Sequence, residues 1–323
     1  MPRRKPLAAK PGTNTPIIKP DCIFTFTVRP DDIPAPDDST ATPAGTVGLL
    51  AFLQAAMPDR KRTTVKDYLK YGQIMANGQI TTRFNVELRP GDIVRVNISR
   101  PFQTFSNPRL KIVYEDDDII VVNKGYGLLS MGTDTVKDGT AYSLLRDYVK
   151  RVDPRNKLFI VHRLDQHTSG LMMFAKSEKA KNAMQHNWNN MVLERRYVAV
   201  VYGRPDPSEG EIRSYLTENS AHEVYSTENP EEGQLAVTRY RTLKSRGAYS
   251  LVELSLETGR KNQIRVHLKD AGHIIVGDRR YGATTSPIHR LCLHAQTLRF
   301  AHPITRRDMN FTSALPMGFS KLV

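Results

Sequence analysis

Leu158-Phe-Ile-Val-His-Arg-Leu-Asp165-Gln-His-Thr168-Ser169-Gly170-Leu-Met-Met-Phe-Ala-Lys176 sets two apolar runs, Leu158–Val161 and Leu171–Phe174, around a polar segment ending in Thr-Ser-Gly. Two buried strands joined by a polar loop have this pattern. The loop gathers His162, Arg163, Asp165, His167, Thr168 and Ser169. Held between core strands, such a cluster is a natural place for chemistry. Taken alone, Asp165 reads as a turn or cap residue and Arg163 as a surface cation, because most Asp residues in loops close turns. The surrounding chain has to decide.

A chain of 323 residues has room for a sizeable core and two domains. Its 47 Lys+Arg against 33 Asp+Glu give a formal charge of +14. That excess points to a polyanionic partner, nucleic acid first, although an anionic membrane surface or plain solubility also fits. No apolar run approaches the roughly 18 residues needed to span a bilayer, and Met1-Pro-Arg-Arg-Lys-Pro-Leu has charge without the apolar core of a secretory signal. Cys22 and Cys292 have no metal-like spacing and read as reduced thiols of a cytoplasmic protein. Nine histidines lack HExxH or paired spacing, so no metal is expected.

Residues 1–45 have the look of an extension: prolines break any helix, and only Cys22-Ile-Phe-Thr-Phe-Thr-Val28 alternates as a strand. Residues 46–100 are denser. Thr46 is placed to cap one helix (Val47, Leu50, Ala51) and Thr64 a second, with Val65 and Leu69 on its apolar face and Gly72 as its stop. Ile74-Met-Ala76, Asn77-Gly78 and Ile80 predict a hairpin, and Arg89-Pro-Gly91-Asp92 a turn before a strand at 94–98. Arg62, Lys66 and Lys70, each four apart, stack like charges along one helical face, which costs energy unless an anion faces them. The run from Lys66 to Asp92 resembles the small RNA-binding domain of ribosomal small-subunit protein S-four.

Beyond residue 101, strands are expected at 112–124 on either side of an acidic turn, then a helix at 141–149. Ser177 should cap a helix that turns Ala180, Ala183, Met184 and Trp188 inward. Residues 197–203 form a core strand, and 206–234 a loop with short strands and a solvent-facing cluster from Glu228 to Glu232. Strands at 236–243 and 249–256 precede a helix with Ile264, Leu268 and Ala271 inward, closed by Gly272.

Four separated motifs now line up: His162-Arg-Leu-Asp165-x-x-Thr-Ser-Gly170; Arg196-Tyr197-x-Ala-x-Val-x-Gly203; Thr258-Gly-Arg-x-x-Gln-Ile-Arg265-x-His-Leu268; and Gly277-Asp-x-x-Tyr-Gly282 with Leu291-Cys-Leu-His-Ala295 and His302-Pro303. In this order they resemble the RluA family of RNA pseudouridine synthases, over roughly residues 110 to 320. The resemblance implies an α+β fold, in which a mixed or largely antiparallel sheet forms a catalytic domain at 101–323 behind a small α/β S-four-like domain at 46–100. It implies an isomerase that needs no metal or redox cofactor. The glycosidic bond of a uridine breaks, the uracil turns, and a carbon–carbon bond forms to the same ribose.

Residue by residue, the resemblance makes Asp165 the catalytic carboxylate and Arg265 the cation beside it. Tyr197 becomes the ring that stacks on uracil and assists proton removal at its carbon 5, and Ile264 the apolar wall. Arg163 becomes the residue that fills the stack left by the flipped base. Lys124 matches a lysine that is either structural or on the phosphate side, while His162 and Thr168 support the loop. Departures from the family pattern are Lys124-Gly125-Tyr126-Gly127 for a usual Lys-Pro-x-Gly, Asn262 for a frequent His, and Ile274 for a usual Pro. The expected partner is RNA bound by a monomer, ribosomal RNA of the large subunit first and transfer RNA second, with no membrane. The rival readings are a non-catalytic RNA-binding assembly factor and a base-excising glycosylase.

Overall fold

The computed structural model describes residues 23–34, 45–99, 101–102, 105–152 and 154–323. Cys22 and the basic residues Arg3, Arg4, Lys5, Lys10 and Lys19 lie outside them. The chain forms two compact units that divide between Thr104 and Phe105.

The first unit runs β1 (Ile23–Thr27), β2 (Val47–Gly48), α1 (Leu49–Ala56), α2 (Arg62–Lys70), β3 (Ile74–Ala76), β4 (Gln79–Ile80), β5 (Glu87–Leu88) and β6 (Ile93–Asn97). Strands β1, β6, β3 and β4 make an antiparallel sheet in that order, so a strand from the expected extension completes it. The β3–β4 turn has Asn77 and Gly78 at φ 49° and 79°, the left-handed pair that a two-residue hairpin requires. Two caps differ from expectation. Helix α1 starts at Leu49 with Gly48 as its cap, because Val47 is drawn into a bridge with Leu88. Helix α2 starts at Arg62 behind Lys61, leaving Thr64 inside the first turn.

The second unit follows as β7 (Leu110–Glu115), β8 (Ile119–Lys124), α3 (Ala141–Val152), β9 (Phe159–Ile160), β10 (Ser169–Ala175), α4 (Glu178–His186), α5 (Trp188–Met191) and β11 (Val192–Tyr202). It continues through β12 (Glu209–Glu218), β13 (Val224–Thr227), β14 (Gln234–Arg246), β15 (Tyr249–Leu256), α6 (Gln263–Asp270), β16 (Leu293–Ala301), β17 (Asp308–Thr312) and α7 (Met317–Ser320). One mixed sheet takes the order β13-β12-β14-β15-β11-β16-β10-β8-β7, with β17 on β16 and β9 on β10. The fold is the expected α+β with a mixed sheet. Its parallel pairing is between β10 and β16, through Ser169–His294 and Gly170–Ala295.

The apolar runs of β8 and β10 are continuous because both faces are covered. Ile120, Val122, Met172 and Phe174 pack with Leu145 and Val149 of α3. Ile119, Val121, Leu171 and Met173 pack with Met184 of α4 and Met191 of α5. Ser177 caps α4, its Oγ accepting from the Ala180 N–H at 3.1 Å; Trp188 falls in the separate turn α5. Helix α6 is buried from Gln263 through Leu268. Ile264 and Leu268 meet β11 and β15, and Val266 meets Leu216, Ala236 and Tyr281.

Of the loop with short strands expected at 206–234, β13 is short, but β12 runs for ten residues. Alternation was hidden because Ser214 takes an inward position between Ile212 and Leu216, and its hydroxyl meets His267 Nε2 at 3.0 Å. Among the described residues no helix is long and apolar enough to cross a membrane.

Gly170 sits at φ 117°, and a Cβ there would stand 2.1 Å from the Ala295 carbonyl oxygen. Gly170→Ala is therefore expected to lower unfolding free energy by more than about 2 kcal/mol, measured by urea denaturation. An unchanged midpoint would show that β10 and β16 can separate freely.

Candidate active site

The Asp165 loop leaves β9, a strand of only two residues, so its position is set by contacts from elsewhere. Ser130 Oγ accepts from the Leu164 N–H at 3.1 Å and donates to the Leu164 carbonyl at 2.6 Å. The Gly127 N–H donates to the Gln166 carbonyl at 3.0 Å, and Gln166 Nε2 returns a bond to the Gly127 carbonyl at 3.3 Å. The Thr168 N–H donates to the Asp165 carbonyl at 3.1 Å, closing the turn. His162 Nε2 accepts from the Met173 N–H at 3.0 Å, so its own proton belongs on Nδ1. Burial, with Arg195 adding, lowers the pKa of His162 to about 3. The imidazole is a neutral strut.

Lys124 corrects one expectation. It is wholly buried, and its Nζ donates to the carbonyls of Leu128 at 2.8 Å and of Gly125 and Gln166 at 3.2 Å each. All three ammonium protons are engaged, so a phosphate finds none free. Burial pulls its pKa down to about 7, the Asp165 charge opposing. Gly125 departs from the family's Pro for a visible reason. Its N–H donates to the Arg109 carbonyl at 2.6 Å, a bond that Pro lacks, and a Cβ would meet that oxygen at 2.9 Å.

Tyr197 and α6 supply the facing wall. A register shift in β11 against β16 falls between Arg196 and Tyr197, and such bulges re-aim a side chain. The Tyr197 hydroxyl takes no hydrogen bond from another described residue. Burial raises its pKa above the ordinary value, with Arg195 opposing and Asp165 adding. Helix α6 starts from Asn262 in the left-handed region at φ 54°, a conformation Asn tolerates. Gln263 anchors it. Its Nε2 donates to the Val237 carbonyl and Thr238 Oγ1 at 3.0 Å each, and its Oε1 accepts from Thr258 Oγ1 at 2.8 Å and the Arg260 N–H at 3.0 Å.

Arg265 is held chiefly by Asp278. Nε and Nη2 donate to the two carboxylate oxygens at 2.8 and 2.6 Å, and Nη1 donates to Asn262 Oδ1 at 3.0 Å. The Tyr281 ring lies 4.8 Å beneath the guanidinium. Arg265 Nη1 stands 4.0 Å from Asp165 Oδ2, at the outer limit of an ion pair. Asp165 itself keeps a quarter of its side chain exposed, against 1% for Asp278. A bidentate buried pair is the stronger contact, so Asp278 fixes Arg265 and leaves Asp165 accessible. Asp278, Gln263 and Ser130 had no assigned role; the first two lay inside quoted motifs, while nothing in the sequence marked Ser130.

Arg163, Asp165, Tyr197, Ile264 and Arg265 line one cleft of about 480 Å³, with Leu256 and Leu293 adding apolar wall. Arg163 is exposed at its rim. Lys124 lies beneath the loop, outside the cleft lining. Arg62, Lys66 and Lys70 belong to the first unit, where all three are exposed on α2. Among the described residues no group of His, Cys, Asp or Glu could hold a metal ion.

The sequence matches the family model described as RNA pseudouridylate synthase over residues 118–270. The uncharacterized RNA pseudouridine synthase YlyB of Bacillus subtilis is 34% identical over 279 residues, covering 84% of this chain and 91% of that protein. Ribosomal large subunit pseudouridine synthase D of Yersinia pestis is 30% identical over 288 residues, 84% of this chain and 88% of that one. Among solved structures, human RNA pseudouridylate synthase domain containing 4 aligns with a TM-score of 0.54 at 26% identity, over 65% of this chain and 90% of that chain. The chain belongs to the RluA family of RNA pseudouridine synthases, and it is an RNA-modifying isomerase.

Burial lowers the pKa of His267 and His294 to about 4 each, as it does that of His162 to about 3. Each folded value lies below the ordinary 6.5 or so, hence the unfolded chain binds these protons first as pH falls. The stability held by the neutral rings is fully present above about pH 6.5 and is lost between there and pH 3 to 4. His162→Gln should flatten the dependence of unfolding free energy on pH between 6 and 5 by about 1.4 kcal/mol per pH unit. Equal slopes in urea melts of the two proteins would contradict a neutral His162.

Proposed function

We propose that this enzyme isomerises specific uridines of large-subunit ribosomal RNA, with Asp165 as the catalytic carboxylate. The observation that carries the reading is one cleft in which Asp165 lies among a ring, Tyr197, an apolar wall, Ile264, and a cation, Arg265. Uracil is a flat ring with polar edges, and stacking against Tyr197 and Ile264 would hold it while it is detached and turned. The bond from ribose to the base nitrogen breaks, that from ribose to carbon 5 forms, and the carbon 5 proton leaves as the ring nitrogen gains one. Tyr197, its hydroxyl protonated at neutral pH, stacks and assists in that transfer. Arg163 at the rim enters the duplex position that the base vacates.

For the RNA target, support comes from relatives named for the large ribosomal subunit. Residues 46–100 act as an S-four-like RNA-binding domain in this reading, ahead of a catalytic domain at 101–323. Helix α2 supports it: Lys61 and Arg62 stand at its positive end with no acidic residue in the first turn, against the helix dipole. No ion pair joins Arg62, Lys66 or Lys70 to a carboxylate among the described residues. Phosphates would relieve both strains. The enzyme acts as a cytoplasmic monomer.

Asp165→Asn is expected to abolish pseudouridine formation while RNA binding persists. Turnover near wild type in that variant would sink the mechanism, and a substrate losing mass would point to base excision instead. Mapping pseudouridines across total RNA with and without the gene should remove a large-subunit ribosomal site; loss confined to transfer RNA would reassign the target.

Replacing Arg62, Lys66 and Lys70 by Gln together should weaken RNA binding and lower the slope of log affinity against log salt by about two to three. A slope that stays put would remove α2 from the interface.

A further inference from the structure

A second cleft, of about 560 Å³, shares Arg163, Asp165, Asn262 and Arg265 with the first. Its character is different. Where the first has Tyr197, Leu256, Ile264 and Leu293, the second adds Lys261, Arg279, Arg280 and Arg290. Its carboxylates are Asp165 and Asp278, and Asp278 is taken by Arg265.

Arg290 is the unusual member. Its guanidinium packs over the rings of Tyr126 and Phe319, 5.1 and 5.2 Å from their centroids. Nε donates to the Leu291 carbonyl at 3.1 Å, and Nη2 to Ser169 Oγ at 2.6 Å and, more weakly, to the Leu293 carbonyl at 3.5 Å. Nη1 donates no hydrogen bond to another described residue, and no carboxylate among the described residues pairs with this cation. A largely buried charge without a counter-ion is costly. Lysine escapes such a cost by losing its proton, but arginine keeps its charge throughout the range in which proteins fold. The two ring contacts and the hydrogen bonds to Ser169 and Leu291 hold the guanidinium in place, with Nη1 left over.

We propose that Arg290 is the floor of an anion site that takes a phosphodiester of the RNA immediately flanking the target uridine, with Arg279 at its exposed mouth. The assignment rests on the first cleft being the uridine pocket. With the base among Tyr197 and Ile264 and the ribose at Asp165, the nucleotide's backbone has to leave over the ridge that both clefts share. A phosphodiester supplies the missing counter-charge and matches the planar fork of Arg290. It also explains why Arg279 carries no ion pair among the described residues.

The test is a cycle between Arg290→Met and a short RNA in which the phosphodiester on the 5′ or the 3′ side of the target uridine is replaced by a neutral methylphosphonate. Affinity is read by filter binding in an Asp165→Asn background, so the result does not depend on turnover. Uridine conversion by the protein with Asp165 intact is scored separately and decides the reading of the first cleft. At one of the two positions, neutralising the phosphate should weaken binding roughly tenfold or more, as loss of a charged hydrogen bond does. Arg290→Met should weaken the unmodified RNA by a similar factor, and the two changes together should be no worse than either alone. Losses that multiply at both positions overturn the proposal, because an arginine that only braces Ser169 and Leu293 is indifferent to phosphate charge. If Arg290→Met does not fold, Arg279→Gln at the exposed mouth runs the same cycle, and multiplying losses there overturn the proposal equally.

Discussion

The close approach of β10 to β16 at Gly170 is the constraint on which the rest of this unit depends. Gly170 pairs with Ala295 on one side and Lys124 on the other, and the space a Cβ needs is filled by the Ala295 carbonyl. This junction joins the sheet half under α3, α4 and α5 to the half that carries Tyr197 and α6. Because β10 begins at the junction, the loop before it is delivered to the seam between the halves. A loop elsewhere in the sheet would reach one wall only. Lys124, Gly127 and Ser130 then fix it from beneath through backbone groups, which leaves the side chains of Arg163 and Asp165 free to face the cleft.

Electrostatics inside the cleft follow an order set by burial. Asp278 is almost fully buried and bidentate to Arg265; Asp165 is a quarter exposed and 4.0 Å from the same guanidinium. If Asp165 held the bidentate contact, both of its oxygens would be occupied. Giving that contact to Asp278 keeps Arg265 rigid and charged while leaving Asp165 with unused acceptor capacity. Asn262 and the Tyr281 face complete the cage, so the strained left-handed conformation of Asn262 is part of how Arg265 is aimed.

Much of this was legible in the sequence because it is local. Continuous apolar runs announced β8 and β10, Asn77-Gly78 announced its hairpin, and Ser177 announced α4. The linear motifs placed Asp165, Tyr197 and Arg265 in one family before any geometry was known. What escaped was non-local or disguised. Ser130 clamps Leu164 from 34 residues away, and no pattern around a lone serine betrays that. Strand β12 was concealed by a polar residue in an inward position, tolerable because its hydroxyl hydrogen-bonds with His267. For Lys124 the structural and the phosphate-side readings both stood, since nothing in its neighbourhood showed that three carbonyls would converge on it.

These exceptions share a physical logic. A chain folds when propensity, patterning and charge agree, and it breaks such rules where something else compensates. The cost at Lys124 is met inside the protein, by carbonyls that also hold the Asp165 loop. Arg290 has internal acceptors too, in Ser169 and the Leu291 and Leu293 carbonyls, but among the described residues no carboxylate pairs with it or with the row of like charges on α2. The net charge of +14 is therefore not spread as inert solubility: part of it stands where the fold has supplied geometry but withheld the counter-ion. At each of these places, taken by itself, an anionic group from outside the protein would supply the charge that the fold lacks.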